Sequence, residues 1–313
     1  MPNENQHWIP KFLVKNFTDI DGRVYCLNIQ NDSVTKPPPK YAASRAGFNE
    51  FQINGEMISF EDKLEKIETQ AAPVLKRIVT TQSLSWLTEK QKRQVADFMA
   101  AQSFRTDIFY KGMELGSSRQ EFGPLFAELW ESAFFVAGEI ARRQWALMVI
   151  EHDDVFYLGD HPLVLQLTEK PSVAAELGFD VEGVEAFMPL APKCALYMPC
   201  VSVSQQILSG YEDAQSNLSN PRSVGYHLRL LELSRRVLRN SKPLCDALTM
   251  GVPLSAAVEN VENLNYLQCY WAHAALYCNK RDFSFAKHVY SRSPQYRKTP
   301  KVSIRRGVML VQC

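Results

Sequence analysis

An α+β fold, with a central antiparallel sheet flanked by helical blocks, is the expectation for this chain. Three observations carry it. Apolar residues recur at helical spacing over residues 59–144 and again after residue 224. Runs rich in β-branched and aromatic residues fill the stretch between, from 145 to 201. No internal repeat and no obvious linker interrupts the 313 residues, so one globular domain is expected, with a basic helical lobe from about residue 220.

Residues 23–29 have strand composition, and the Asn31-Asp32 turn leads to a short partner at 33–35, giving a hairpin. Pro37, Pro38 and Pro39 then stop pairing, because proline supplies no backbone donor. Ser59 opens a helix, with Glu61 and Asp62 in the first turn, where negative charge suits the helix dipole. Leu64, Ile67, Ala71, Val74, Leu75 and Ile78 form its apolar stripe, and Pro73 is placed to kink it. Thr88 and Gln91 make a capping box for a second helix reaching residue 111, with Val95, Phe98, Met99 and Phe109 buried. A third helix covers 124–144.

Strands are expected at 145–151 and 155–158, joined tightly through His152-Asp153-Asp154, and at 163–167 and 195–201, with 184–199 extended. An amphipathic helix at 224–239 alternates Leu228, Leu231, Val237 and Leu238 with Arg229, Arg235, Arg236 and Arg239. An aromatic-rich helix at 258–278 and a basic tail ending in a strand at 307–311 complete the chain.

The composition, 46% hydrophobic and 22% charged, is that of an ordinary globular protein, and no apolar run is long enough for a transmembrane helix. The opening Met-Pro-Asn-Glu-Asn lacks the pattern of a signal peptide. Seven cysteines without regular spacing suit reduced thiols, so a cytoplasmic location is expected. The net charge of +1 hides an asymmetry. From residue 220 onward there are 15 Lys and Arg against 5 Asp and Glu, and the preceding residues hold the other 20 and 29. A basic third suits a phosphate-rich partner such as nucleic acid, or the acidic remainder of the same chain.

Two segments concentrate ionisable groups beside proline and apolar residues: Asn5 to Leu13, with His7, and Phe156 to Pro162, with Asp160 and His161. Glu61, Glu65 and Glu68 share one side of the first long helix, and Gln102 and Arg105 continue the buried series of the second. An arginine on that face needs a carboxylate, which Glu65 or Glu68 can supply. One reading brings His7, Glu65, Glu68, Arg105 and Asp160 into a single catalytic cleft. His7 and Asp160 would ligate a divalent metal that activates water, and Arg105 would steady a developing anion. Arg229, Arg236 and Asn265 would present a nucleic-acid substrate to this hydrolase. In the alternative reading the polar groups are structural and the protein is a non-enzymatic binding module for nucleic acid or an acidic protein. Arg222 to His227, and Asp160 followed by Glu169-Lys170, match nuclease patterns only loosely. Walker, GxGxxG, HExxH and GxSxG signatures are absent.

Asn5-Gln6-His7-Trp8-Ile9-Pro10 with Leu13 and Phe17 resembles the opening of a bacterial family known as domain of unknown function 4238. The resemblance continues through residues 61–75 with Ala71-Ala72-Pro73, residues 98–106 with Arg105-Thr106, residues 159–162, and Asn265 with its Ala/Tyr-rich helix. Family members often have Ser-Asp-Asn-Pro where this chain has Gly159-Asp160-His161-Pro162, which favours Asp160 and Pro162 over His161. The resemblance implies no activity, and hints at a defence or stress role.

Overall fold

The structure, a computed structural model, describes residues 5–107, 109–110, 119–167, 177–219, 228–298, 301–305 and 308–312. The chain opens with β1 (Asn5–His7), α1 (Lys11–Asn16), β2 (Tyr25–Asn28), β3 (Val34–Thr35), β4 (Ser44–Ala46), β5 (Glu50–Ile53) and β6 (Glu56–Ser59). β2 and β3 pair antiparallel, Cys26 opposite Thr35, as the sequence predicts. The ribbons β1–β4 and β5–β6 were not legible in the sequence. Each strand is three or four residues long, too short for alternation to register.

α2 (Glu61–Thr81) begins after Phe60, because Ser59 is taken by β6. The Ser59 hydroxyl still accepts the Glu61 N–H at 3.3 Å. The helix runs through Pro73 and buries Leu64, Ala71, Val74, Leu75 and Ile78. α3 (Glu89–Phe104) carries the expected Thr88–Gln91 capping box but ends at Phe104 rather than at residue 111. α4 (Arg119–Arg142) packs on α3, and α3 on α2.

The class is α+β, with the strands divided between two principal sheets instead of one. The larger is formed by β7 (Ala146–Val149), β9 (Val164–Leu167), β10 (Val184–Ala191), β11 (Cys194–Met198) and β12 (Pro253–Ser255). Its order is β12-β7-β11-β10-β9, antiparallel except for the parallel β12–β7 pair. The smaller is antiparallel, in the order β3-β2-β13-β8, with β8 (Leu158–Gly159) and β13 (Ala275–Cys278). The hairpin expected through His152-Asp153-Asp154 therefore does not form. Ile150 and Phe156 donate their N–H groups to Lys193 and Pro192 in the β10–β11 turn, so the two strands part into different sheets.

Helices return with α5 (Val201–Ser219), α6 (Leu228–Met250), α7 (Val258–Trp271) and α8 (Ser284–Arg292), and β14 (Lys301–Arg305) pairs with β15 (Val308–Gln312). α5 has no apolar stripe in the sequence to announce it, and α6 continues through Pro243 well past residue 239. α7 stops at Trp271, and the rest of the expected helix is β13. One buried cluster runs from Phe98 and Ile78 to Leu147 and Leu196, joining the N-terminal helices to the large sheet. A second, with Leu27, Leu276, Phe283 and Tyr290, lies between the small sheet and α8.

Gly251 turns the chain from α6 into β12 at φ +67°, and its carbonyl accepts the Leu84 N–H at 2.7 Å. A Cβ there would lie 2.6 Å from the Leu84 carbonyl carbon and from the Ser85 nitrogen. Gly251→Ala is expected to lower the unfolding free energy by about 2 kcal/mol, measured by urea denaturation. A loss below about 0.5 kcal/mol would show that the approach is not tight.

Candidate functional site

Where α3 ends, Gln102, Ser103, Arg105, Thr106 and Asp107 are all buried. Their position follows from the helical series 95, 98, 102, 105, which carries polar side chains onto the face that the core covers. Gln102 Nε2 donates to the Trp8 carbonyl at 2.6 Å. Arg105 donates to Glu68 Oε1 at 2.6 Å and to Gln102 Oε1 at 3.0 Å. Glu68 is thus the carboxylate that the arginine needs, while Glu65 points to solvent. His7 is half-buried beside them, 3.4 Å from the Pro39 carbonyl. Burial pulls its pKa down, against the Pro39 hydrogen bond and the Glu68 charge. Two buried donors, Trp8 Nε1 and Arg105 Nε, have no hydrogen-bond partner among the described residues.

Asp160 immediately follows β8 and is buried. Its carboxylate accepts three backbone N–H groups, from His273 at 2.8 Å, Ala274 at 2.6 Å and Ala275 at 3.1 Å. These bonds end α7 and start β13, so the residue closes a backbone junction. Burial pushes the Asp160 carboxyl up to about 6, against the pull of those three bonds. Next to it, His161 stacks on Trp271 with ring centroids 5.2 Å apart, and its Nδ1 is 3.0 Å from the Thr106 hydroxyl. Burial lowers its pKa to about 4.

The surrounding polar groups serve the same junction. Gln268 accepts the Gly159 N–H at 2.7 Å and donates to the Pro162 carbonyl at 3.1 Å. A Cβ on Gly159 would lie 2.9 Å from that Gln268 oxygen and 3.2 Å from the Gln268 carbonyl oxygen, so a larger residue would have to shift this amide. Asn265, near the middle of α7, is bonded to the segment before β8. It accepts the Tyr157 N–H at 2.7 Å and donates to the Val155 carbonyl at 2.9 Å.

The structure brings His7, Glu68 and Arg105 together, leaves Glu65 outside, and ties Asp160 to the α7–β13 junction. Both Asp160 oxygens already face N–H donors, a poor ligand for a cation. Among the described residues no group of three or more His, Cys, Asp or Glu side chains could hold a metal ion. The donor set of His7 and Asp160 therefore does not fit a metal centre. Arg222, His227, Glu169 and Lys170 lie outside the described residues.

Arg229 and Arg236 lie elsewhere. α5 and α6 pack on each other, and α6 meets the large sheet at β7 and β12. Of α5 only Ser204 and Ala214 are buried. Of α6, Ser234 is buried against α5, and Cys245, Ala247 and Leu248 at the base, where Ala247 and Leu248 meet Ala146. Small residues at the contact let the two helices approach closely. Arg229, Arg235, Arg236 and Arg239 are exposed, and none forms an ion pair among the described residues. The basic surplus after residue 220 is therefore not spent on the acidic part at these positions. Arg297 does pair that way, with Asp32 at 2.9 Å.

Sequence reasoning missed Arg143, which is buried and donates to the carbonyls of Val184 at 2.5 Å, Phe179 at 2.7 Å and Met198 at 3.2 Å. Its one signal was a charge interrupting the apolar run 132–150. Asp107 and His273, 3.9 Å apart and buried, gave none. Asp107 also accepts from Arg45 at 3.0 Å.

No curated protein and no solved structure matches this chain. From β1 into α4 the chain resembles the family described as Protein of unknown function (DUF4238), whose model matches residues 5–131.

Proposed function

We propose that the protein is a binding module for a phosphate-rich polyanion, with nucleic acid as the class that fits best, and that the outer face of α6 is its binding surface. One observation carries this reading: four exposed arginines within eleven residues lack carboxylate partners among the described residues. Unpaired, hydrated cations on one face attract phosphate over distances of a Debye length. The test is elution from heparin–agarose in a salt gradient. Wild type is expected to elute at clearly higher salt than the variant Arg229→Gln/Arg235→Gln/Arg236→Gln/Arg239→Gln. Coincident elution of the two would sink the proposal. Retention of wild type on an acidic polypeptide but not on heparin would point to an acidic protein instead.

A hydrolytic reading has one observation in its favour: His7 is half-buried within reach of the charges of Glu68 and Arg105, and burial lowers its pKa, as suits a proton acceptor. It predicts hydrolysis of nucleic acid that His7→Gln abolishes while the melting temperature is kept. Hydrolysis unchanged in that variant would remove His7 from the chemistry.

A further inference from the structure

The charged residues on the outer side of α6 are not scattered. Arg229 and Arg236 stand seven residues apart, as do Arg235 and Lys242, and seven residues is close to two turns of helix. Each pair forms a line along the axis, and the two lines lie about 120° apart around it. Between them runs a third line at the same spacing, Glu232 and Arg239. Ser234 is buried on the opposite side, so along the stretch that bears the arginines all three lines face away from the buried side, and only at the base does the line of Arg229 and Arg236 run into buried Ala247. Lys242 pairs with Asp246 at 2.7 Å, and its side chain remains 60% exposed.

This arrangement separates two kinds of nucleic acid. Single strands are held by aromatic platforms on which bases stack, combined with a basic groove. Residues 228–250 contain no aromatic residue, and in α5 the one aromatic, Tyr211, is half-buried. A duplex asks for something else. The major groove of B-form DNA, about 12 Å wide, admits one α-helix, and its walls are two phosphate backbones. A helix lying there needs cations on both flanks and hydrogen-bonding groups in the middle. α6 has that pattern, with Arg229 and Arg236 toward one wall and Arg235 and Lys242 toward the other. Arg239 and Glu232 would then face the floor, where an arginine can donate to guanine and a carboxylate can accept from cytosine. The basic stretch from 229 to 242 is about 20 Å long, enough to follow the groove for about half a helical turn of DNA.

Resting on the polyanion reading of the same surface, we infer that the partner is double-stranded DNA, with α6 in the major groove and its two arginine-bearing flanks on opposite phosphate backbones. A-form RNA does not offer this seat, because its major groove is too deep and narrow for side chains to read.

The experiment is fluorescence anisotropy of the full chain with a labelled mixed-sequence DNA duplex of 20 base pairs, each of its single strands, and the RNA duplex of the same sequence. Titrations run at several salt concentrations between 50 and 200 mM. The DNA duplex is expected to bind at least tenfold more tightly than either single strand or the RNA duplex. Log affinity should fall against log salt with a slope of about −4, and with about half that slope for Arg229→Gln/Arg236→Gln. Those side chains are exposed, and an unchanged melting temperature checks that the variant is folded. Single-strand or RNA binding equal to or tighter than the DNA duplex would overturn the duplex assignment while leaving the polyanion reading in place. No binding of any of them at 50 mM salt would overturn both. A slope unaltered in the double variant would move the contact away from α6 and overturn the groove geometry.

Discussion

Asp160→Ala is expected to lower the unfolding free energy at pH 7 by about 3 kcal/mol, the net of two opposed effects. Removing the carboxylate leaves the N–H groups of His273, Ala274 and Ala275 without their acceptor in a buried junction. At about 2 kcal/mol for each orphaned donor, that loss is about 6 kcal/mol. Against it, a carboxyl pushed up to about 6 by burial is ionised at an energetic cost at pH 7, and its removal relieves about 3 kcal/mol. The hydrogen bonds win, because three donors depend on one side chain. The damage should therefore grow on acidification toward pH 4, where wild-type Asp160 is protonated and there is nothing left to relieve. Urea unfolding at the two pH values measures this, and amide exchange at residues 273–275 locates it. A loss under 1 kcal/mol with protection intact at those amides would show that water or a neighbouring carbonyl replaces the carboxylate.

The same junction shows what was legible in the sequence. Asp160 stands out in the sequence because it follows a strand and lies two residues before a proline, and in the structure its carboxylate is buried and held by three backbone N–H groups. Local sequence could not reveal what holds it, since all three donors lie over a hundred residues away. For the same reason the sequence pattern extends the helix to residue 278, whereas it ends at Trp271. Helical propensity runs on through Ala272 and Ala274, and the chain leaves the helix because the next three N–H groups are claimed by Asp160. Glu68 and Arg105 were legible because helical spacing fixes a face, and consecutive helices pack together. The role of Asn265 was not legible, because its two partners, Tyr157 and Val155, belong to a segment distant in sequence. The exposed arginines of α6 were readable from amphipathicity alone, but α5, which turns them outward, was not. Its buried residues, Ser204 and Ala214, are small or polar and leave little apolar period to read.

Asp160 and His161 are neighbours with opposite pH behaviour, and the second large effect comes from separating them. His161, with its folded pKa lowered to about 4 from an ordinary value near 6.5, binds a proton in the unfolded chain before it does in the folded one. Its contribution to stability is complete above pH 6.5 and is lost as pH falls through 4, a change of about 3 kcal/mol. Asp160, with its folded pKa raised to about 6 from about 3.9, does the reverse. Its contribution is complete below pH 3.9 and is lost as pH rises through 6, again by about 3 kcal/mol. Over the shared window the unfolded chain gains a proton on the histidine while the folded chain keeps one on the aspartate, so the two slopes cancel in wild type. Substituting His161→Phe, which keeps an aromatic ring against Trp271, leaves the Asp160 slope uncompensated. Relative to wild type the variant should lose about 3 kcal/mol between pH 4 and pH 6.5. Asp160→Ala should move the opposite way, gaining about 3 kcal/mol on wild type between pH 4 and pH 6, the same growth of its defect toward acid described above. Urea denaturation at half-unit pH steps measures both differences, and every other titrating group cancels in the subtraction. If neither variant departs in slope from wild type, the two side chains titrate in the fold as they do in water, and burial at this junction is less complete than the geometry indicates. If only His161→Phe departs, the carboxyl is held ionised by its three N–H partners, and the histidine alone carries the pH dependence.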